Sequence, residues 1–321
     1  MKVVVSACAG LALSLAFLSA NAQQYPVKPV RVVIPWPPGG SNDIVGRLVS
    51  QKLSETTGQQ FVVDNRGGAA GTIGSDVVAK SAPDGYTIMV HSATHVANPH
   101  LYGKLPYDTL KDFVGVAPLS VQIGMLIVHP SLPVKSVKEF IALAKARPGQ
   151  IVYSSSGNGS FVHLTMAQFA TMAGIKMTHV PYKGGGPAAI SIAAGETQAQ
   201  MGTIGAVTQQ VKAGRVRPLA VTSDYRVDTY PQVPTLAEAG VPGYEFTAWI
   251  GTLAPGGTPR AIVERLNGEI NKVLRMPDVT ATLKNQTLDP LIMTPDQFAA
   301  RLKSDYDKYE KVIKATGAKI D

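Results

Sequence analysis

The sequence predicts an α/β protein of two lobes, and three observations carry that prediction. Short β-branched runs alternate with stretches of helical periodicity, the pattern of sheets with largely parallel strands and crossover helices. Two apolar stretches, Val116 to Val128 and a second near residues 242–250, are suited to pass between lobes. The chain beyond Pro259 reads as helix almost throughout, so it has to pack back on a sheet made earlier. Residues 23–122 and 248–321 are therefore expected to form a discontinuous first domain, and 123–247 the second. The architecture is two open sheets flanked by helices and joined by two hinge crossings, which lets the lobes bend and close over a ligand.

The elements follow in order. Arg31 to Pro35 reads as a strand, and Ile44 to Thr56 as a helix with apolar residues at 44, 45, 48, 49 and 53. Asp84-Gly85 turns the chain into a strand from Tyr86 to Val90. Ser136-Val137-Lys138-Glu139 is a capping box that starts a helix ending near Pro148-Gly149. Strand Ile151 to Ser154 precedes helix Phe161 to Ala173, and strand Met177 to Pro181 precedes helix Pro187 to Ala194. Gln198 to Gly202 and Arg217 to Thr222 are further strands, and Ala248 to Ala254 is the second crossing. Three helices start near Pro259, Pro277 and Pro295, the last capped by Thr294 and running to about Thr316.

Composition narrows the function classes. With 45% hydrophobic and 16% charged residues the chain is no disordered segment, and no apolar run reaches the ~18–20 residues of a membrane span. One cysteine excludes a disulfide framework and Cys-rich metal sites, and no metal or cofactor is expected. The formal charge of +8 is scattered, and Arg215-Val216-Arg217 is too sparse for a nucleic-acid surface, but a mildly basic protein favours anionic ligands. Residues 1–22 read as a secretory signal peptide: Lys2, an apolar stretch from Val3 to Leu18, and the small-residue site Ala20-Asn21-Ala22. Its removal takes away Cys8, the lone cysteine, which suits an oxidising compartment such as the periplasm.

The chemistry lies in three strand–loop–helix units. Their loops are Pro37-Pro38-Gly39-Gly40-Ser41-Asn42-Asp43, Ser155-Ser156-Gly157-Asn158-Gly159-Ser160 and Tyr182-Lys183-Gly184-Gly185-Gly186. Glycines admit close approach of a ligand to the backbone, and the following helix start supplies free amides with partial positive charge. In open α/β sheets such loops lie together beyond the carboxyl ends of the strands. They describe an anion site of amides and hydroxyls that needs no Arg or Lys. Asp43 would repel an anion and belongs to the site as a cap of its helix. None of the loops is a nucleotide-binding motif, and no G-x-S-x-G elbow sets up a serine nucleophile. His91 and His95 are four apart but lack the Glu of a metalloprotease pair, and a strand precedes them. His163 could cap the second loop or touch ligand, but a hydrogen-bonded structural histidine is the preferred reading; Trp36 and Trp249 are core residues or covers for a ligand's apolar body.

These motifs together resemble the receptors of tripartite tricarboxylate transporters, the Bug-type periplasmic solute-binding proteins. The first and second loops carry the resemblance, with Asp64-Asn65-Arg66-Gly67-Gly68-Ala69-Ala70-Gly71-Thr72-Ile73-Gly74 and Pro83-Asp84-Gly85-Tyr86-Thr87. Leu105-Pro106-Tyr107-Asp108, His163-Leu164 and Val180-Pro181-Tyr182-Lys183-Gly184-Gly185 add to it. Val233-Pro234-Thr235-Leu236-Ala237-Glu238-Ala239-Gly240 and Ala254-Pro255-Gly256-Gly257-Thr258-Pro259 extend it to the C-terminal helices.

The resemblance implies a two-lobed type II periplasmic-binding-protein fold. It implies a high-affinity, monomeric, non-enzymatic receptor that delivers a small organic carboxylate (a di- or tricarboxylate or an aromatic acid) to a membrane permease. One ligand carboxylate is expected between Pro38, Gly39, Gly40, Ser41, Asn42 and Asp43 on one side and Ser155, Ser156, Gly157, Asn158, Ser160 and His163 on the other. The distal part of the ligand is assigned by position to Trp36, Ser92, Thr94, His95, Tyr182, Thr203 and Ile204. Ser191 and Gln198 replace acidic residues frequent in the family, which weighs against an ammonium-bearing ligand. The competing readings are a carboxylate-sensing co-receptor and a secreted ester hydrolase.

Overall fold

The computed structural model describes residues 25–317. The expected signal peptide lies outside the described residues. Strand β1 (Val30–Ile34) lies at the heart of the first lobe, parallel to β2 (Phe61–Asn65) on one side and β3 (Thr87–Ser92) on the other. Helix α1 (Ser41–Thr57) links β1 to β2, and α2 (Thr72–Ala79) links β2 to β3. Helix α3 (Thr94–Leu101) follows β3 after a single residue. β2, with five residues, and these two helices, with eight each, escape the sequence reading because they repeat their period too few times to register.

The crossing is one strand. β4 (Phe113–Val128) is an unbroken run of 16 residues that pairs with β9 (Thr247–Pro255) from Phe113 to Ile123. From Gly124 onward it pairs instead with β7 (Ala199–Thr203), and from Met125 with β8 (Arg217–Val221). The partner change at Ile123/Gly124 and the start of β9 at Thr247 are the two places where the chain passes from one sheet to the other. Because β4 belongs to both, the sheets form one hydrogen-bonded path, β2-β1-β3-β9-β4-β7, continuing through β5 (Val152–Ser155) to β6 (Thr178–Pro181). Largely parallel strands were expected. Parallel pairing holds among the outer strands of each lobe, but every pair involving β4 or β9 is antiparallel, because β9 returns directly beside the strand that left.

In the second lobe α4 (Val137–Ala146), α5 (Phe161–Ala173), α6 (Gly185–Ala193) and α7 (Ile204–Lys212) separate the strands. After β9 come α8 (Arg260–Leu274), α9 (Pro277–Asn285) and α10 (Pro295–Thr316). Thr294 and Gln297 close a capping box at the start of α10. This last helix does more than pack back on the first sheet: it lies against α3, β4 and α5, so it touches both lobes. Trp249 on β9 is fully buried under it, donating its indole N–H to Asp305 (2.9 Å) and meeting the Phe298 ring edge-on. Trp249 is therefore a core residue and not a cover for ligand.

Candidate functional site

Four of the strands end on the same side of the structure as a set of helix starts. β1 leads into α1, β3 into α3, β5 into α5, and β7 runs directly into α7. With α6, five helix N-termini reach one inner cavity of ≈ 30 Å³: Gly40, Ser41 and Asn42 from α1, Thr94 from α3, and Ser160, Phe161 and Val162 from α5. Gly185 of α6 and Thr203 before α7 close the ring, and Trp36, Pro37, Ser92, Gln122 and Ser156 complete the wall. No Asp, Glu, Lys or Arg is among these residues. The N–H groups of Ser41, Asn42, Phe161 and Val162 have no acceptor among the described residues. Each helix start adds a partial positive charge, so the cavity is electropositive without a cationic side chain.

The first loop is held from behind by a carboxylate. Asp43 Oδ2 accepts the Gly39 N–H (3.1 Å), while its Oδ1 accepts from Asn65 Nδ2 and Arg47 Nε (2.9 Å each). Asn65 also donates to the Trp36 carbonyl (2.9 Å). Burial pushes the Asp43 carboxyl up, but the hydrogen bonds from Arg47, Asn65 and Gly39 outweigh it and hold the group below the usual carboxylate range. Trp36 is 8% exposed and donates to His91 Nδ1 (3.3 Å), which also accepts the Ser92 N–H (2.8 Å).

The second loop is held by neutral imidazoles. His163 Nδ1 accepts the Gly159 N–H (3.0 Å), and Ser155 Oγ accepts that of Gly157 (3.2 Å) while lying 2.6 Å from His179 Nε2. The His163 and His179 rings stack at 4.2 Å with planes 4° apart, and Tyr153 stacks on the far face of the pair at 4.8 Å from His179. Burial holds His163 down to about 4; burial and then the neighbouring His163 hold His179 down to about 3. Both imidazoles are thus neutral, and His163 Nδ1 is free to accept the Gly159 amide.

The third loop touches the first across the cleft. A Cβ on Gly184 would lie 2.5 Å from the Pro37 ring, and one on Gly185 would lie 4.0 Å from Gly40 Cα. Ser41 Oγ donates to Thr203 Oγ1 (2.9 Å). The lobes are closed on one another. Outside this seam a wider cavity of ≈ 730 Å³ is lined by Pro38, Asn65, Gly67, Gly68, Ala69, Ala70, Tyr102, Gly157, Asn158, Tyr182, Lys183 and Gly184. It shares Trp36, Pro37 and Ser156 with the inner one. Ala69 and Ala70 stand in its wall with positive φ (46° and 50°), strain of the kind found at ligand clamps.

Of the residues expected at the ligand, Trp36, Gly40, Ser41, Asn42, Ser92, Thr94, Ser156, Ser160 and Thr203 surround the inner cavity. Pro38, Gly157, Asn158 and Tyr182 fall at the outer one, where the Tyr182 hydroxyl donates to Glu196 (3.0 Å). Gly39, Asp43, Ser155 and His163 shape the loops from behind.

Two expectations need correction. His95 is fully buried, stacked on Tyr107 and edge-on to Phe113, because α3 starts one residue earlier and turns it into the core. Ile204 belongs to an apolar cluster with Ile123 and Val207. Ser191 and Gln198 do not face the cleft either: Ser191 donates to the Ala188 carbonyl (2.9 Å), and Gln198 Oε1 accepts the Val152 N–H (2.9 Å). Their replacement of acidic residues therefore says nothing about the ligand.

Sequence reasoning missed Gln122, Phe161, Val162 and the wall from Asn65 to Ala70. Gln122 had a signal, since it and Ser120 are the only polar residues between Val116 and Val128.

Comparison with known proteins places the chain in a family. The model of the tripartite tricarboxylate transporter family receptor matches residues 45–318. The chain is 35% identical to BugT of Bordetella pertussis, over 97% of each. R. palustris Rpa4515 solved with adipate is similar at 37% identity and a TM-score of 0.89, covering 92% of this chain and 100% of that one. MatC from Rhodopseudomonas palustris with bound malate is similar at 30% identity and a TM-score of 0.85, covering 90% and 100%. The solved neighbours are two-lobed periplasmic binding proteins, and the mixed α/β fold is shared with them.

Proposed function

The chain belongs to the tripartite tricarboxylate transporter receptor family, and we propose that it captures a small organic carboxylate in the periplasm and delivers it to a membrane permease of that system. The observation that carries the reading is the inner cavity: five helix N-termini, four unpaired amides, and no ionic side chain. Such a site receives one carboxylate without the exchange of a salt bridge, and closure of the lobes removes the water that would screen it. The adipate and malate bound by two relatives support small acids as the ligand class. The lobes are taken as residues 23–122 with 248–321, and 123–247, which fits the partner change of β4 and the start of β9.

Binding rather than hydrolysis is favoured because the Ser155 hydroxyl, although beside His179, is engaged by the backbone of its own loop. The test is calorimetry of the mature protein against aliphatic and aromatic mono-, di- and tricarboxylates, with mass spectrometry of whatever co-purifies. A ligand at one hundred times its Kd is expected to raise stability by about 2.7 kcal/mol. A folded protein that binds none of these acids would remove the carboxylate reading.

A further inference from the structure

Helix α9 ends on a residue that its own geometry does not favour. The N–H of Thr287 returns to the Lys284 carbonyl (2.8 Å) and that of Leu288 to the Leu283 carbonyl (3.0 Å). This pair of bonds closes a helix on a residue in the left-handed conformation, where glycine is preferred because it has no Cβ. α5, α6 and α7 end on the same two bonds, and the left-handed residue is Gly174, Gly195 or Gly214. In α9 it is Thr287, at φ +54°, a β-branched residue in a region that side chains avoid. The helix ending alone calls for glycine, so the threonine needs a reason outside α9.

The reason lies across the seam between the lobes. Thr287 is 4% exposed, and its hydroxyl donates to Thr229 Oγ1 (2.9 Å). The Thr229 hydroxyl in turn donates to the Lys284 carbonyl (3.3 Å) at the end of α9. Leu283 and Leu288, before and after Thr287, are anchored in the first-lobe core with β1 and α1. Val227 and Tyr230, before and after Thr229, are anchored in a second-lobe apolar cluster with α7. Each hydroxyl is thus fixed to its own lobe. The seam runs on to the cavity: a Cβ on Gly205 would lie 3.4 Å from the Gln286 carbonyl oxygen and 3.5 Å from Ser41 Oγ, beside the Ser41–Thr203 bond. Neither Thr229 nor Thr287 lines the inner or the outer cavity.

We propose that Thr229 and Thr287 form a latch between the lobes that sets how long a bound acid is held, although neither residue touches it. The latch rests on the receptor reading above and deepens it. A hydroxyl–hydroxyl bond needs its oxygens within about 3 Å, so a hinge rotation that parts the lobes at residues 123–124 and 247 breaks it. The bond therefore belongs to the closed state and favours that state over the open one. The strain at Thr287 belongs to α9 itself and is present whether the lobes are open or closed. Two features of one side chain then act in opposite directions: the backbone conformation of Thr287 weakens the fold, and its hydroxyl strengthens binding.

The experiment is calorimetry and stopped-flow dissociation on the mature protein, with adipate and malate as first probes and the wider panel of acids after them. Thr287→Gly is expected to raise the unfolding temperature of the unliganded protein by about 1–2 °C. The same variant is expected to bind the acid about threefold to tenfold more weakly, almost wholly through faster dissociation. Thr229→Val removes the partner hydroxyl and is expected to weaken binding by a similar factor, and the double variant by no more than either single one. Thr287→Ser keeps the hydroxyl and is expected to hold the affinity within about twofold of the wild type. Should Thr229→Val fail to fold, Thr287→Gly against Thr287→Ser carries the test. Unchanged affinity in Thr287→Gly, effects that add in the double variant, or a loss of affinity that comes only with a lower unfolding temperature overturns the latch and leaves the receptor reading standing. A wild type that binds no acid of the panel removes both.

Discussion

The two glycine loops that face each other across the cleft perform one task with opposite chemistry. Residues 37–43 are clasped by a charged group, Asp43, itself gripped by Arg47 and Asn65. Residues 155–160 are clasped by imidazoles that burial keeps uncharged, His163 directly and His179 through Ser155. In each case the acceptor binds a loop amide from behind, at Gly39 or at Gly157 and Gly159, and leaves the amides of the following helix start free. What the difference teaches is that an amide-built anion site needs acceptors beneath it, and that their charge is free to vary so long as they face away from the ligand. The Asp43 carboxylate is tolerable in an anion receptor because Arg47 neutralises it.

The largest expected effect separates the loops by backbone. Gly157 has φ +124°, a conformation side chains rarely adopt, whereas Gly40 has φ −89° and ψ 167° with nothing within 4 Å of an added Cβ. Gly157→Val is expected to store strain of about 1–3 kcal/mol in the second loop, lowering both thermal stability and ligand affinity, the latter by at least about tenfold. Gly40→Val is expected to leave the unliganded unfolding temperature unchanged while its side chain occupies cavity space and weakens binding. Parallel unfolding scans and titrations check this; equal stability loss in the two variants would mean that the loops are not conformationally distinct.

A smaller effect separates them by pH. The unfolded His163 takes a proton near pH 6.5, but the folded one only near 4, so the unfolded state holds more protons between those values. Stability contributed by the second loop is therefore complete above about 6.5 and lost as pH falls toward 4. Asp43 has its folded value lowered below the ordinary 3.9 or so, so its contribution is complete above that value and lost only as pH falls further. His163→Asn keeps an acceptor for the Gly159 amide but cannot titrate, and should make denaturation midpoints fall less steeply between pH 6.5 and 4. The slope shrinks without vanishing, because His179, His91 and His95 are also held low by burial. Asp43→Asn should leave that window unchanged. A steeper slope in His163→Asn would show that the imidazole is not the acceptor.

What was legible in the sequence follows the same division. Backbone features announce themselves locally: the glycine loops, the Thr294 cap and the helix at Phe161–Ala173 could be read from residue type and spacing. So could the long apolar run of β4, whose crossing role follows from its length. Side-chain direction could not be read. His95 and Thr94 are adjacent, yet one lies in the core and the other at the cavity, and the start of α3 decides which. Gln122 was hidden inside a run chosen for its hydrophobicity, where only strand alternation and the pairing with β9 place it at the cavity. The groups behind the second loop come from β5, β6 and the first turn of α5, a juxtaposition that depends on β5–β6 pairing.

The smallest expected effect tests whether charge inside the cleft is received by backbone at all. Lys183 is the one cationic side chain lining the outer cavity, and it is exposed to solvent. An exposed ammonium at a mouth attracts anions over about one Debye length, ~10 Å at 0.1 M salt, and so acts on the rate of encounter more than on the bound state. The helix starts act at contact distance in a closed cavity, where salt does not reach. Lys183→Gln is therefore expected to slow association and to flatten its salt dependence, with equilibrium affinity changed by less than about threefold. Stopped-flow association at several salt concentrations, with calorimetry alongside, measures both quantities. If the substitution abolishes binding, the carboxylate is held by a lysine, and the convergence of five helix N-termini on the inner cavity needs another explanation.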